Sequence, residues 1–388
     1  MGHIFLKSDR IRVLINGIHA KSGGGVTYLR NILPLLSEDP ELEVHLFLHR
    51  DQYELFGTLD ERIRLHLLRY RNGFFANAMW EQIALPILAR IMSVDVTVSP
   101  ANFGPLFAPA QIIMLRNSLA VAGKENRPIK RLYWGGLTLM TALSLFTCRR
   151  AIAVSDYARK ALTFGLGEKF QKKVSVVHHG VSAIYQPDKN VFRKNYLLAV
   201  SDIYVQKNLH TLIRALSKIR ETYPDIVLKI AGKAIDEGYL QELFDVLDQA
   251  QMRDAVEFLG EQNANELLAL YQECKLFVFP STVETFGNPL VEAMACAAPI
   301  ISSNTAAMPE ILGEAGHYFD PLDFQDMAEG IIALLEDDAA REELGERAYQ
   351  RAHLFSRKAT AVKTSEVIKS VVPDRYIQIN PNEMQTPS

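Results

Sequence analysis

The sequence contains little cysteine: three residues in a chain of 388, namely Cys148, Cys274 and Cys296. They lie far apart and lack the close spacing of metal ligands, so the sequence argues against a disulfide-stabilised scaffold and against a cysteine metal centre. Sparse thiols are typical of a reducing compartment, where a free cysteine usually packs as a small apolar side chain. We therefore expect three core cysteines and no metal bound to them.

Long apolar runs are also missing. No stretch reaches the roughly eighteen residues of a membrane-spanning helix, and Met1–Arg12 lacks the apolar core of a signal peptide. These absences predict a cytoplasmic protein. Residues 134–148 are all apolar, small or hydroxyl-bearing, and they lie between Lys130–Arg131 and Arg149–Arg150. We expect a buried helix here; the alternative interpretation is a helix that lies in a bilayer interface, at the inner face of the cell membrane.

The chain lacks a complete dinucleotide fingerprint. Gly23, Gly24 and Gly25 follow a predicted strand and precede a predicted helix, but the third glycine of G-x-G-x-x-G is replaced by Tyr28. This disfavours a nicotinamide dehydrogenase. The glycines can still bring backbone amides close to a ligand. We interpret them as a loop lining a cleft between domains, with His19 beside it; a flexible turn is the alternative.

The two halves of the chain differ in charge. Residues 1–190 contain 24 Lys and Arg against 15 Asp and Glu, a net of +9, whereas residues 191–388 contain 18 against 30, a net of -12. A basic half suits an anionic partner such as a membrane surface, a phosphate-bearing acceptor or a nucleic acid. Ordinary solvated charge would explain much of the difference.

Strand-like and helical patterns alternate throughout, which predicts parallel sheets with crossover helices. With this length, we expect two Rossmann-like domains. Pro187 and the polar residues after it indicate the boundary. The predicted segments are a first domain at 1–188, a second at 189–356, a final helix at 357–379 and a disordered tail at 380–388.

The most informative segment runs from Ser281 to Glu292. Gly287, Asn288 and Pro289 indicate a helix start, with Asn288 as N-cap and Pro289 at the first helical position. The free amides of such a start attract phosphate. Glu284 on the preceding loop and Glu292 one turn inside bracket this site, which suggests a sugar nucleotide. A capped surface helix with two solvated glutamates is the alternative.

This segment, with its Glu-x7-Glu core, resembles the retaining glycosyltransferases of family 4. Weaker matches in the right order are similar to the same family, and they span most of the chain: Gly23–Gly25, Ala153–Ser155, Val177–Val181, Lys207–Asn208, Ala231–Gly232, Phe258–Gly260 and Pro309–Glu310. The resemblance implies the GT-B fold: two Rossmann-like domains facing across a cleft, with a C-terminal helix returning to the first.

The resemblance also implies a reaction, in which a sugar moves with retention from a nucleoside diphosphate donor to a hydroxyl of a lipid-linked glycan or polysaccharide. It implies no metal, no other cofactor and no nucleic-acid partner. Glu284 and Lys207 would be catalytic, and the first domain would hold the acceptor near His19, Arg116 and Asn117. The expected donor-binding residues are Glu292, Thr285, Phe286, Gly287, Asn288 and Gly260.

Three positions depart from the family pattern. Ser201 and Asp202 stand where Gly-Arg is common, so an arginine that would assist the leaving group is absent. Arg116 and Asn117 occupy a first-domain loop that often contains a histidine. Ala297 replaces a helix-ending glycine. Two rivals stay open: a nucleotide-sugar epimerase of the same fold and a non-catalytic nucleotide-sugar binder.

Overall fold

The computed structural model describes residues 10–21, 23–117, 128–188 and 190–373. Its strands belong to two sheets, one in each half of the chain. The strands are β1 (Ile11–Asn16), β2 (Leu42–His49), β3 (Arg64–Leu68), β4 (Val96–Ser99), β5 (Gln111–Leu115), β6 (Arg150–Ala153), β7 (Val174–Val176), β8 (Lys194–Val200), β9 (Val227–Ala231), β10 (Val256–Gly260), β11 (Cys274–Phe279), β12 (Ile300–Ser303) and β13 (His317–Phe319).

Both sheets are parallel and doubly wound. The first has the order β3-β2-β1-β4-β5-β6-β7 and the second β10-β9-β8-β11-β12-β13. In each sheet the order reverses beside the strand that comes first in the chain, and ligands of such sheets bind at the carboxyl ends of the strands near that point. The sequence predictions missed edge strand β3, because its side chains are only partly buried and it lacks a continuous apolar run.

Helices connect most consecutive strands and cover the sheet faces. α7 shows why: Leu209, Leu212, Ile213, Leu216 and Ile219 recur at intervals of three or four residues and are all buried. The helices are α1 (Gly23–Glu38), α2 (Phe74–Met79), α3 (Leu85–Ile91), α4 (Pro128–Thr147), α5 (Asp156–Leu162), α6 (Glu168–Gln171), α7 (Leu209–Ile219), α8 (Glu237–Gln249), α9 (Ala264–Glu273), α10 (Asn288–Ala295), α11 (Met308–Leu312), α12 (Phe324–Glu336), α13 (Asp338–Ala352) and α14 (Arg357–Lys369).

The final helix, α14, packs against α1 of the first domain. Tyr28 and Thr364 share a hydrogen bond of 3.1 Å between their hydroxyls, and Ser365 Oγ donates to Asp39 Oδ2 at 2.6 Å. The predicted fold, including this returning helix, is confirmed. The domain boundary at 188/189 stays a prediction, and residues 374–388, with the expected tail, lie outside the described part.

Two local predictions were wrong. The glycine segment is not a loop: α1 begins at Gly23, so Gly23–Gly25 form its first turn, where amides lack helical partners and glycine costs little. Residues 134–148 are not a buried helix either. In α4, Thr141 and Ser144 are buried, whereas Leu139 and Phe146 are exposed. Among the described helices, none is long and apolar enough to cross a membrane.

Candidate active site

The carboxyl ends of both sheets face a shared cavity of about 1020 Å³. Its position follows from the topology, since loops after the central strands of two facing parallel sheets converge there. It contains most of the residues that the sequence analysis selected, namely Gly24, Arg116, Asn117, Lys207, Glu284, Thr285, Phe286, Gly287, Asn288 and Glu292. His19, Gly25 and Gly260 are not part of the described lining.

Lys207 and Glu284 form an ion pair at the cavity wall. Lys207 follows β8 on a short helical turn, and Glu284 lies between β11 and α10. The ammonium Nζ lies 2.5 Å from Glu284 Oε1, and both side chains are largely buried. Burial alone would lower the pKa of Lys207, but the charge of Glu284 outweighs it and the pKa is raised. Lys207 is therefore a cation held in the cavity by an acid.

Glu292 is a half-buried acid on α10 at another part of the cavity wall. Its Oε2 accepts a hydrogen bond of 3.0 Å from the hydroxyl of Tyr271. Burial raises the pKa of Glu292 to about 7, although the Tyr271 hydrogen bond opposes the shift. Because the Glu292 carboxyl accepts this hydrogen bond at only one of its oxygens, it can still accept hydrogen bonds from the hydroxyls of a ligand.

The start of α10 differs from the predicted cap. Gly287, not Asn288, is the N-cap residue: it has φ of 88°, a conformation that suits glycine, and Asn288 is the first helical residue. Pro289 still lies in the first turn. The side chain of Asn288 is therefore free to face the first domain, where its Oδ1 lies 3.1 Å from Nδ1 of His179.

Thr285 and Phe286 join the two domains. The hydroxyl of Thr285 donates to the carbonyl of Arg116, and the carbonyl of Thr285 accepts from Ser155 Oγ at 2.5 Å. Phe286 is buried against the rings of His179 and Phe355. Their side chains thus contribute to the interdomain contact, and both residues belong to the cavity lining.

Several predicted contacts lie elsewhere. His19 Nε2 faces the buried carboxylate of Glu81 at 3.2 Å, and its ring packs edge-on to Phe103. Gly260 has φ of 70° and shapes the loop after β10. The next residues, Glu261 and Gln262, line the cavity instead. Within the described ranges, no group of three or more His, Cys, Asp or Glu is arranged to hold a metal ion.

The sequence analysis missed an interdomain contact centred on Glu310. Its carboxylate accepts from the backbone amides of Asp156 and Tyr157, at 2.8 and 3.0 Å, at the start of α5. His178 Nε2 lies 2.9 Å from the same carboxylate. Successive side chains of an extended segment point to opposite sides, so His178 contacts Glu310 whereas His179 lines the cavity. The sequence signal that could have pointed to Glu310 is the match of Pro309–Glu310 to the family pattern.

Comparison with known proteins connects this geometry to a family. Residues 185–351 match the family model described as "Glycosyl transferases group 1". The serotype-specific mannosyltransferase WbdA of Escherichia coli is 31% identical over 228 residues, which cover 57% of this chain and 27% of WbdA. A glycogen synthase of Mycobacterium tuberculosis is 30% identical over 233 residues, which cover 58% of this chain and 53% of that protein. The chain thus spans about a quarter of the first relative and half of the second.

Solved structures share the whole architecture. The Anabaena protein HepE, solved with UDP and glucose, superposes with a TM-score of 0.72 at 17% identity over 93% of this chain and 100% of HepE. WaaG, a glycosyltransferase involved in lipopolysaccharide biosynthesis, has a TM-score of 0.72 at 14% identity over 92% of this chain and 99% of WaaG. The chain therefore has the GT-B fold, and residues 185–351 within it are similar to the group 1 glycosyl transferases.

Proposed function

We propose that this protein is a retaining glycosyltransferase of family 4. It moves a sugar from a nucleoside diphosphate sugar to a hydroxyl of a lipid-linked glycan or polysaccharide. The observation that carries the proposal is the cavity in which the Lys207–Glu284 pair, the start of α10 and Glu292 are brought together. Relatives named as mannosyltransferases and a similar structure with bound UDP support the same class of reaction.

The site has a group for each part of such a donor. The ammonium of Lys207 and the free amides of α10 offset the charge of a departing diphosphate. Glu292 accepts hydrogen bonds from ribose hydroxyls, and Glu284 and the backbone around Phe286 face the transferred sugar. In the free protein Glu284 neutralises Lys207, so a bound diphosphate competes with Glu284 for the ammonium.

The bond changes in the proposed reaction need no protein nucleophile. The bond from the anomeric carbon to the diphosphate oxygen breaks, and an oxocarbenium-like ion pair forms. The acceptor hydroxyl attacks from the face that the diphosphate leaves, which preserves the configuration. Its proton passes to the departing phosphate oxygen. The protein binds, orients and stabilises charge, and these contributions depend on side chains already held in place.

We further propose that the first domain acts at the cytoplasmic face of an anionic membrane. Phe75, Met79, Ile83, Ile87 and Ile91, which we call the apolar ridge, recur every four residues along α2–α3 and are between 50% and 81% exposed. Residues 69–155 contain ten Lys and Arg against three Asp and Glu. Exposed apolar side chains in a basic segment suit an anionic lipid surface better than water.

The experiment is a sugar-transfer assay on purified protein, after a thermal-shift screen of nucleoside diphosphate sugars has identified a donor. Glu284→Gln and Glu292→Gln should each reduce transfer by about a hundredfold or more. Glu257→Gln, an acid of the same domain outside the cavity lining, should behave as wild type. Full transfer by both site variants would end the assignment.

The same assay separates the two rivals. A nucleotide-sugar epimerase of this fold would convert the donor when no acceptor is present, so products from donor alone would favour it. A non-catalytic binder would show donor binding by calorimetry without turnover over a broad acceptor panel. Stereochemistry at the anomeric carbon of the product, determined by NMR, tests retention separately.

A further inference from the structure

Arg116 is a cation in the cavity wall with no acidic partner in the described part of the chain. It follows β5, is half-buried and belongs to the lining of the cavity. Its Nε is buried and has no hydrogen-bond partner among the described residues. Burial lowers the pKa of Arg116, with a small opposing effect from Tyr28. Such a guanidinium is unfavourable unless an anion supplies the missing partner.

The backbone around Arg116 adds positive potential. Nη1 and Nη2 lie against Gly25, where a Cβ would overlap them. Gly25 is in the first turn of α1, a sixteen-residue helix whose first turn has no acidic residue. The positive end of α1 repels the Arg116 cation. An anion at this place would be attracted both by the guanidinium and by the helix start. Asn288, at the start of α10, approaches Gly24 from the other domain.

His179 is a second unsatisfied group at the same place. It is 7% exposed and lines the cavity, and its Nε2 has no partner among the described residues. Burial, assisted by the charge of Arg116, lowers the pKa of His179 to about 4, although the Asn288 contact opposes the shift. A neutral His179 thus offers a hydrogen-bonding nitrogen next to the Arg116 cation, as a ligand with both phosphate and hydroxyl groups would need.

Among its described residues, the cavity wall of the second domain has no free buried cation for this task. Asp202 stands where the resemblance leads us to expect an arginine, and its Oδ1 accepts from the backbone amide of Lys233 at 3.2 Å. Lys207 is already paired with Glu284. Lys233 lines the cavity but is exposed, so its charge is better screened by solvent.

We propose that Arg116 reaches from the first domain into the cavity to bind a phosphate group of a ligand; if that phosphate belongs to the donor, Arg116 replaces the arginine that is absent at Asp202. The phosphate belongs to the donor diphosphate or to a phosphate of the acceptor. The inference rests on the proposed function for its ligand, and the anion site itself is tested separately. Arg116 contacts the ligand directly; Gly25 acts by leaving room for the guanidinium.

The experiment is calorimetry on the full chain with inorganic pyrophosphate, UDP, GDP and the matching nucleosides. Arg116→Gln should weaken pyrophosphate and diphosphate binding by about tenfold to a hundredfold, the worth of a charge-assisted hydrogen bond. Arg116→Lys should retain part of the affinity. Nucleoside affinity should not change, and Arg30→Gln, which removes an exposed cation of the same lining, should stay within about twofold of wild type.

The results also identify the phosphate. Loss of UDP and GDP affinity assigns Arg116 to the donor. Loss of pyrophosphate affinity with unchanged UDP and GDP, together with a raised acceptor KM, assigns it to the acceptor. The inference is overturned if Arg116→Gln leaves the affinities for pyrophosphate, UDP and GDP unchanged. It is also overturned if the affinity for nucleosides falls equally, because that indicates a structural role. A wild-type protein that binds pyrophosphate through Arg116 but transfers no sugar would contradict the proposed function alone.

Discussion

At the scale of single residues, the sequence selected most of the candidate residues that line the cavity, but not their partners. Lys207 and Glu284 are 77 positions apart and pair directly, whereas the motif had suggested separate tasks for them. Glu292 was expected to face a ligand; it lines the cavity and accepts a hydrogen bond from Tyr271. Spacing along one helix can be deduced from sequence, but a contact between two loops depends on how the strands before them are ordered.

The raised pKa of Glu292 leads to a prediction about how stability changes with pH. Its pKa is about 7 in the folded protein against the usual 4.5, so the folded state binds the proton more tightly. The contribution of Glu292 to stability should therefore fall as pH rises from about 4.5 through 7. Glu292→Gln should remove this fall and gain about 1–3 kcal/mol over wild type at pH 8 relative to pH 5. Urea unfolding across this pH range measures the difference.

The control for this measurement is Glu257→Gln, which removes an exposed acid of the same domain. It should keep the wild-type pH slope. Identical slopes in wild type and Glu292→Gln would contradict the assignment of a raised pKa to Glu292. A variant that is more stable yet binds donor poorly would show that the buried acid is retained for function at a cost in stability.

At the scale of elements, helix and strand types were predictable, and their ends less so. The alternation of strands and helices was predicted from apolar periodicity, because this signal is local. α1 was started three residues late, since glycines usually indicate a turn. Edge strand β3 was overlooked, because pairing with β2 rather than its own composition makes it a strand.

The interdomain contact of Glu310 leads to a prediction at the scale of elements. Glu310→Ala removes the acceptor for two amides of α5 and for His178. We expect the free energy of unfolding to fall by about 1–3 kcal/mol. Glu310→Gln, which keeps one acceptor oxygen, should lose less. Denaturant unfolding measures both, and small-angle scattering should detect a wider spread of domain arrangements in the alanine variant.

The contribution of the Glu310 contact to stability also depends on pH. Burial opposes the charged form of Glu310, but His178 and the two amides lower its pKa below the usual value. Its contribution should therefore be lost as pH falls below about 4.5. Glu314→Ala, an exposed acid four positions on, is the matched control. Equal effects of Glu310→Ala and Glu314→Ala would show that the contact contributes nothing specific.

At the scale of the whole molecule, charge and apolar surface are combined in the first domain. The sequence indicated residues 134–148 as the apolar segment. The structure adds the apolar ridge on α2–α3, and the ring of Phe74 lies 6.4 Å from that of Tyr133 on α4. The ridge was not recognised because four-residue spacing usually indicates a buried helix face. Which face is covered depends on neighbouring elements.

Vesicle sedimentation tests the proposed membrane contact. Wild type should bind equimolar phosphatidylserine–phosphatidylcholine vesicles at low salt and less at high salt, because exposed charges are screened. The double variant Ile83→Ser with Ile87→Ser should bind about tenfold more weakly, since each loses apolar burial. The control, Phe192→Ser with Leu322→Ser, removes two even more exposed apolar side chains from the other half. Equal binding by all variants would refute a role for the ridge.

The sequence by itself determined the fold class, the alternation that builds two parallel sheets, and the acids and lysine of the candidate site. Those properties follow from periodicity and local chemistry. Only the tertiary structure decided that Lys207 pairs with Glu284, that Arg116 lies over Gly25 with no acidic partner among the described residues, that Glu310 joins the domains, and that the apolar ridge faces outward. Each of these depends on residues brought together by strand order and domain packing, and no local pattern in the chain records those distances.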